Sequence, residues 1–293
     1  MEKENTVTLA KSAGFCFGVK RAVNIVKQEI AKSDGKRKIY TYGPIIHNKD
    51  VTDEFAAQGV QIIEKPEDIA KISGSVLVIR AHGVPESIYK TASENGVEIV
   101  DATCPFVEKI HEHVRKASEE GRTPVIIGDA DHPEVIGIKG WAGKKYRVID
   151  CTEKANELNL EQCEKITVVV QTTFDLKLFK DLVEIIREKG YDMNVIDTIC
   201  NATENRQKEA ALISESVDVM LVVGDRSSAN TKRLYEICKS RCTDTYFIQK
   251  LDDLKNINLQ TGISVGITAG ASTPDNIIQE VFLKCQKKKV LTN

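Results

Sequence analysis

The stretch Glu98-Ile-Val-Asp-Ala-Thr-Cys104-Pro-Phe-Val-Glu108 carries an apolar, strand-like run into Asp101 and Thr103, then a cysteine, then a helix-like segment. The same order recurs at Asn194-Val-Ile-Asp-Thr-Ile-Cys200-Asn-Ala-Thr-Glu204, and a degenerate copy opens the chain at Val7-Thr-Leu-Ala-Lys-Ser-Ala-Gly-Phe-Cys16-Phe-Gly-Val. The three cysteines stand 88 and 96 residues apart. One thiol at a strand end leading into a helix, three times over, points to a threefold repeat.

Working outward, apolar runs that end in glycine or polar clusters alternate with segments of helical period, the signature of an α/β chain. In the first copy, helix Val19 to Lys32 follows Cys16, and strand Lys38 to Tyr42 ends in Gly43-Pro-Ile-Ile-His47-Asn48. An amphipathic segment, Asp50 to Gln58, leads to Val60 to Ile63; strand Ser75 to Arg80 then ends in Ala81-His82-Gly83 before helix Glu86 to Asn95. In the second, helix Val107 to Glu120 precedes strand Pro124 to Ile127, which ends in Gly128-Asp-Ala-Asp-His132-Pro-Glu134. Strand Ile166 to Val170 ends in Gln171-Thr172-Thr173, and helix Leu176 to Lys189 closes at Gly190, a plausible C-cap. In the third, helix Glu204 to Ser214 precedes strand Val217 to Val223, ending in Gly224-Asp-Arg-Ser-Ser228-Ala-Asn230. Strand Ile263 to Ile267 then ends in Thr268-Ala-Gly-Ala-Ser272-Thr-Pro274, before helix Asp275 to Lys284. From cysteine to first polar strand end the offsets are 31, 28 and 28; to the second they are 66, 68 and 72. Three α/β domains are therefore expected, at 18–103, 104–199 and 200–286. The third lacks a final strand of its own, and the N-terminal segment 1–17, with its strand Val7 to Ala10, is expected to close it.

The 293 residues are 41% hydrophobic and 29% charged, with a net charge of −2. This is enough for a sizeable core and gives no push toward nucleic acid or an anionic membrane. The apolar runs are too short to span a bilayer, and the opening Met-Glu-Lys-Glu-Asn has no apolar signal core. A cytoplasmic protein is expected, and in a reducing compartment eight cysteines point to metal or catalysis rather than to disulfides.

Ligands in open α/β sheets sit beyond the C-terminal strand ends, so the residues placed there are the candidates. Three thiolates on one axis are one short of a structural four-cysteine site. Holding an iron–sulfur cluster, they leave one iron without a protein thiolate, a Lewis acid for a substrate oxygen. The competing account is three small buried residues at domain junctions. His47, His82 and His132 stand at three of six polar strand ends and suit phosphate oxygens. Thr172, Ser228 with Asn230, and Ser272 stand at the others, where hydroxyl and amide donors and helix-start N–H groups also suit a phosphate or diphosphate. Glu134 is the carboxylate placed like a proton donor, the competing account being a solvated surface glutamate; Asp129 and Asp131 are lesser candidates that also fit turn caps. His111 and His113, two apart on a helix, do not share a face, and both are expected to be exposed. Cys238 and Cys242, four apart on an expected helix, fit packing or a two-cysteine metal site. Cys151, Cys163 and Cys285 share no repeat position. With neither a Walker A motif nor a glycine-rich dinucleotide fingerprint, a redox enzyme of this sequence takes its electrons from another protein.

Taken together, Gly14-Phe-Cys16-x-Gly18-Val-x-Arg21, Gly43-Pro-x-x-His47-Asn48, Arg80-Ala-His82-Gly83-Val, Asp101-Ala-Thr-Cys104-Pro, His132-Pro-Glu134-Val-x-Gly137, Gln171-Thr172-Thr173, Asp197-Thr-Ile-Cys200-x-Ala-Thr, Arg206-Gln207, Ser228-x-Asn230 and Ala269-Gly-Ala-Ser272-x-Pro274-Asp resemble the 4-hydroxy-3-methylbut-2-enyl diphosphate reductase family, which closes the methylerythritol phosphate route to isoprenoids. The match is collinear from about residue 7 to residue 285. It implies a trefoil of three similar α/β domains in pseudo-threefold arrangement around a central [4Fe-4S] cluster. By motif the cluster ligands are Cys16, Cys104 and Cys200, with the remaining iron binding the substrate's allylic hydroxyl. The diphosphate falls to His47, His82, His132, Ser228, Asn230 and Ser272. Thr172 orders the site near the hydroxyl, and Glu134 delivers protons.

Reduced ferredoxin or flavodoxin is the implied donor for two electrons, two protons complete the reaction, and isopentenyl and dimethylallyl diphosphates are the products. A monomer is expected. One departure is visible: Ala229 stands where many relatives carry a serine directly before the asparagine. Two rivals remain open from the residues alone: a quinolinate synthase-like lyase that also uses three cysteines and an open iron, and a cluster- or zinc-stabilised binding module.

Overall fold

The computed structural model describes residues 5–35, 37–161, 163–257 and 259–287; residues 1–4, read above for a signal core, lie outside them. In chain order come β1 (Thr6–Leu9), α1 (Phe17–Ser33), β2 (Ile39–Tyr42), α2 (Lys49–Ala57), β3 (Gln61–Ile63), α3 (Pro66–Ile69), β4 (Val76–Ile79), α4 (Glu86–Glu94) and β5 (Glu98–Asp101). Next are α5 (Pro105–Glu119), β6 (Thr123–Ile127), α6 (Pro133–Lys139), β7 (Arg147–Ile149), α7 (Thr152–Glu157), β8 (Lys165–Val170), α8 (Leu176–Arg187) and β9 (Asp192–Val195). Then follow α9 (Asn201–Ser214), β10 (Val219–Val223), α10 (Ala229–Lys239), β11 (Thr245–Ile248), β12 (Ser264–Ala269) and α11 (Asp275–Lys287). The strands form three four-stranded parallel sheets with one shared order: β3-β2-β4-β5, β7-β6-β8-β9 and β11-β10-β12-β1. In the last, β1 lies parallel to β12, with Leu9 opposite Ile267.

The chain divides into two compact units. The first comprises residues 1–17, 47–49 and 201–293; the second comprises 18–46 and 50–200 and holds two of the sheets. Central strands β2, β4, β6 and β10 are buried along their whole length, which is why they read as unbroken apolar runs rather than as alternation. In the second unit, Val125, Ile127, Val168 and Val170 pack on Phe179, Leu182 and Ile186 of α8. The opposite face of that sheet, Ile126 and Val169, packs on Ile110 and Val114 of α5 and on Val135 and Ile138 of α6. Edge strands β7 and β11 were not anticipated. They are three and four residues long with outward-facing members such as Arg147 and Tyr246, so they leave no apolar run to read.

In the first unit, Leu221, Val223, Val265 and Ile267 pack on Ile278, Val281 and Cys285. Met220 and Val222 face Ala210, Leu234, Cys238 and Cys242. The last two are core residues. Cys238 Sγ lies 3.9 Å from the Ala210 carbonyl, and Cys242 Sγ lies 3.7 Å and 3.5 Å from those of Val217 and Asp218. Cys242 also follows the end of α10 rather than lying on it. Burial pushes the Cys238 thiol up to about 12, as befits a protonated packing group. Among the described residues no helix is long and apolar enough to cross a membrane.

Close packing at strand ends sets the sharpest sequence limits. A Cβ on Gly270 would stand 2.0 Å from Thr231 Oγ1. Gly270→Ala is expected to lower stability by about 1–3 kcal/mol. Adding Thr231→Ala should recover much of the loss, read as urea midpoints at constant slope.

Candidate functional site

Parallel pairing puts the three sheets in a common register. Tyr42, Ile127 and Val223 pair with Ile79, Val170 and Ala269 respectively. A glycine follows each of the first three, and the amides of Gly43, Gly128 and Gly224 bond the edge-strand carbonyls of Ile63, Ile149 and Ile248 at 2.7, 2.9 and 2.8 Å. His47, His132 and Ser228 each stand five residues beyond that common point. On the neighbouring strand, His82 and Ser272 stand three residues beyond Ile79 and Ala269. The equivalent in the second sheet is Thr173. Thr172 stands one place earlier, level with Ala81 and Ala271, so the sequence offsets placed it one residue out of step.

Those three level positions each hold a cysteine. The backbone N–H groups of Cys104, Cys200 and Cys16 donate to the carbonyls of Ala81 (3.0 Å), Thr172 (3.3 Å) and Ala271 (3.2 Å). The Asp-x-x-Cys spacing has a physical cause. Asp101 Oδ1 accepts from Thr103 N at 2.8 Å, and Asp197 Oδ1 accepts from Ile199 N at 3.0 Å. Each aspartate closes a turn two residues on and delivers the next residue, the cysteine, to the helix start. Arginines brace two of the cysteine loops: Arg21 donates to the Thr103 and Asp101 carbonyls before Cys104, and Arg206 to those of Gly14, before Cys16, and Ala269. Gly18 is needed in the second unit because a Cβ there would stand 2.5 Å from Cys104 Sγ. Cys16, Cys104 and Cys200 are all partly exposed, in contrast to buried Cys238, Cys242 and Cys285.

In the second unit the polar residues form a connected group. His132 caps α6, its Nδ1 accepting from Glu134 N at 3.1 Å. Its ring lies edge-on to that of His82, with centroids 5.3 Å apart. Glu134 is 1% exposed. Thr172 donates its amide to Oε1 at 2.6 Å and its hydroxyl to Oε2 at 2.7 Å. Burial pushes the Glu134 carboxyl up to about 7, against the pull of those two bonds. A carboxyl near 7 is half protonated at neutral pH, as a proton donor needs. Thr172 therefore spans the carboxyl through its amide and hydroxyl and the Cys200 N–H through its carbonyl.

In the first unit, Ser228 caps α10 by accepting from Thr231 N at 3.3 Å. Asn230 follows in the first turn, buried, and its Nδ2 has no hydrogen-bond partner among the described residues. An orphaned buried donor at a helix start suits an anion. Ser272 Oγ donates to the His47 carbonyl at 2.9 Å.

His111 departs from expectation. It is 5% exposed, stacked on Trp141 at 5.3 Å and 14°, and burial lowers its pKa to about 4. It lies on the inner stripe of α5 with Val107, Ile110 and Val114, while His113 is half-exposed on another face. Gly83 and Gly137 make room for its ring: a Cβ on either would approach it to 2.6 or 3.4 Å. The missed signal was the glycine after His82 and the glycine three residues after Glu134.

Two outcomes follow from the Glu134 environment. Its folded pKa stands above the ordinary carboxylate value of 4.5. The folded state therefore binds the extra proton between pH 4.5 and 7, and stability conferred by that proton is lost as pH rises through 7. Urea unfolding should show a fall of about 3 kcal/mol across this window, absent in Glu134→Gln. Thr172→Val removes a bond that favours the charged form, so the carboxyl band in an infrared titration should move up by roughly one unit or more.

The family model described as "LytB protein" matches residues 7–286. The chain is 42% identical over 283 residues to a protein of Caldanaerobacter subterraneus subsp. tengcongensis named 4-hydroxy-3-methylbut-2-enyl diphosphate reductase, covering 97% of each. Among solved structures it resembles the E-1-hydroxy-2-methyl-but-2-enyl-4-diphosphate reductase of Plasmodium falciparum, with a TM-score of 0.87 at 30% identity over 94% of this chain and 86% of that one. It also resembles a structure of (E)-4-hydroxy-3-methyl-but-2-enyl diphosphate reductase, "the terminal enzyme of the non-mevalonate pathway", with a TM-score of 0.70 at 37% identity over 97% and 99%. With matches that run nearly end to end, the chain belongs to the LytB family and is an oxidoreductase.

Proposed function

We propose that the chain removes the allylic hydroxyl of (E)-4-hydroxy-3-methylbut-2-enyl diphosphate reductively. Two electrons and two protons break the C–O bond, release water and give isopentenyl and dimethylallyl diphosphates. The observation that carries this is the buried Glu134 carboxyl, raised to about 7 and held at both oxygens by Thr172, whose carbonyl also holds the Cys200 N–H.

The residues present suit a [4Fe-4S] cluster. Cys16, Cys104 and Cys200 occupy one equivalent strand-to-helix junction per sheet and are partly exposed, and Gly18 leaves room beside Cys104 Sγ. When bound through three thiolates, such a cluster supplies the electrons and an iron able to polarise the hydroxyl. The diphosphate is assigned to His47, His82, His132, Ser228, Asn230 and Ser272. The imidazoles and hydroxyls donate to its oxygens, the unpartnered Asn230 Nδ2 gains an acceptor, and the α10 N-terminus adds favourable N–H groups. At position 229 only the alanine backbone is available to help. Thr172 fixes the Glu134 carboxyl so that one oxygen carries the proton while the other keeps the Thr172 amide bond. Glu134 delivers protons for loss of water and to the allyl fragment, and burial keeps bulk water from short-circuiting that transfer. Reduced ferredoxin or flavodoxin is assigned as donor, because the sequence carries no nucleotide-binding glycine motif.

Freshly purified anaerobic protein is expected to be brown, to contain about four irons and to consume the hydroxy-diphosphate with a low-potential reductant. Brown protein that ignores the substrate would overturn the reaction, and protein that stays colourless after iron–sulfide reconstitution would overturn the cluster. Glu134→Gln should keep the cluster and substrate binding while lowering turnover by roughly 10²–10⁴-fold. Gly18→Ala, which crowds Cys104 Sγ, should instead lower iron content.

A further inference from the structure

We infer that Asp225 is a positioning residue for His47. This rests on the assignment of His47 to the diphosphate made above. Residues 47–49 follow β2 in sequence yet group with the first unit, with the β10 and β12 strand ends. Two side chains from those ends bond this segment. Ser272 Oγ donates to the His47 carbonyl at 2.9 Å, and Asp225 Oδ2 accepts from Lys49 N at 3.2 Å. The chain is held at the carbonyl of His47 itself and at the N–H of Lys49 two residues on, on both sides of Asn48.

Asp225 is itself fixed. It is 8% exposed, and Oδ1 accepts from Ser227 N at 2.8 Å and Ser227 Oγ at 2.7 Å. Burial acts to raise its pKa, but the bonds from Ser227 and Lys49 and the nearby His47 outweigh it and keep the carboxyl ionised. Asp129 stands at the equivalent place in the second sheet, two residues past Ile127, and closes its own turn by accepting from Asp131 N at 3.0 Å. In the first sheet that place is Pro44, which has no carboxylate. Asp225 closes the same kind of turn with one oxygen and uses the other to hold the next segment. Asp225 thus acts on where His47 stands by holding the Lys49 N–H.

The prediction is specific to substrate capture. In the cluster-loaded enzyme, Asp225→Asn should raise KM about tenfold, the scale of a lost hydrogen bond to a charged group, with kcat within twofold. Competition by inorganic pyrophosphate should weaken in parallel. Lys49→Pro is the independent variant. Lys49 is the first residue of α2, where proline is tolerated and removes the N–H that Asp225 accepts; Lys49→Ala, which keeps the N–H, controls for loss of the side chain and should leave KM within twofold. Lys49→Pro should reproduce the effect of Asp225→Asn, and the pair together should cost little more than either alone. In a His47→Ala background, Asp225→Asn should change KM by less than twofold. Either variant leaving KM and pyrophosphate competition unchanged, or Asp225→Asn adding its full effect to that of His47→Ala, would overturn the inference. His47→Ala with an unchanged KM would instead overturn the assignment of His47 on which it rests.

Discussion

The arrangement depends on one backbone hydrogen bond made three times. Each of Cys16, Cys104 and Cys200 donates its N–H to a carbonyl two residues past the last paired residue of the neighbouring parallel strand. A parallel ladder spaces its bonds evenly, so once the register is set the position of the thiol at the strand end is set with it. The cysteine then begins a helix, and Arg21 braces the loop before Cys104 while Arg206 braces the one before Cys16. Were the register to slip by one, every buried side chain of the strand would turn to the wrong face, so core packing protects the thiol geometry.

Around that constraint the second unit builds its acid. Carboxyls avoid burial because the charged form loses its hydration. Here the loss is only partly offset by two donors from Thr172, and the group is left near neutrality. Each donor from Thr172 pulls the carboxyl toward the charged form, against burial. The supporting residues are neutral and closely packed: His111, uncharged by burial, sits on Trp141 and against Gly83 of the His82 loop and Gly137 of α6, which carries Glu134. A neutral ring there packs against the His82 loop and α6 without adding a charge that would move the Glu134 equilibrium.

The sequence itself determined the α/β class, the order of the principal elements and the residue types at the strand ends. Central strands buried on both faces read as unbroken apolar runs, and helices with one buried stripe read by their period. The cysteine-bearing loops repeat because an aspartate turn of fixed length precedes two of them. Residues such as His132 and Ser228 were legible because parallel sheets of one order place loops of equal length after equivalent strands. Tertiary structure alone decided four things: the edge strands β7 and β11, too short and mixed to leave a pattern; the place of Thr172 one step before that of His82 and Ser272; the burial of His111; and the packing role of Cys238 and Cys242. It alone also decided that Glu134 is buried and bonded to Thr172, 38 residues away, and that Asp225 reaches Lys49, 176 residues away. The physical reason is common to all of these. Local pattern records which face of an element turns inward, but what that face meets depends on contacts between segments distant in sequence, and those contacts set hydration, partner and pKa.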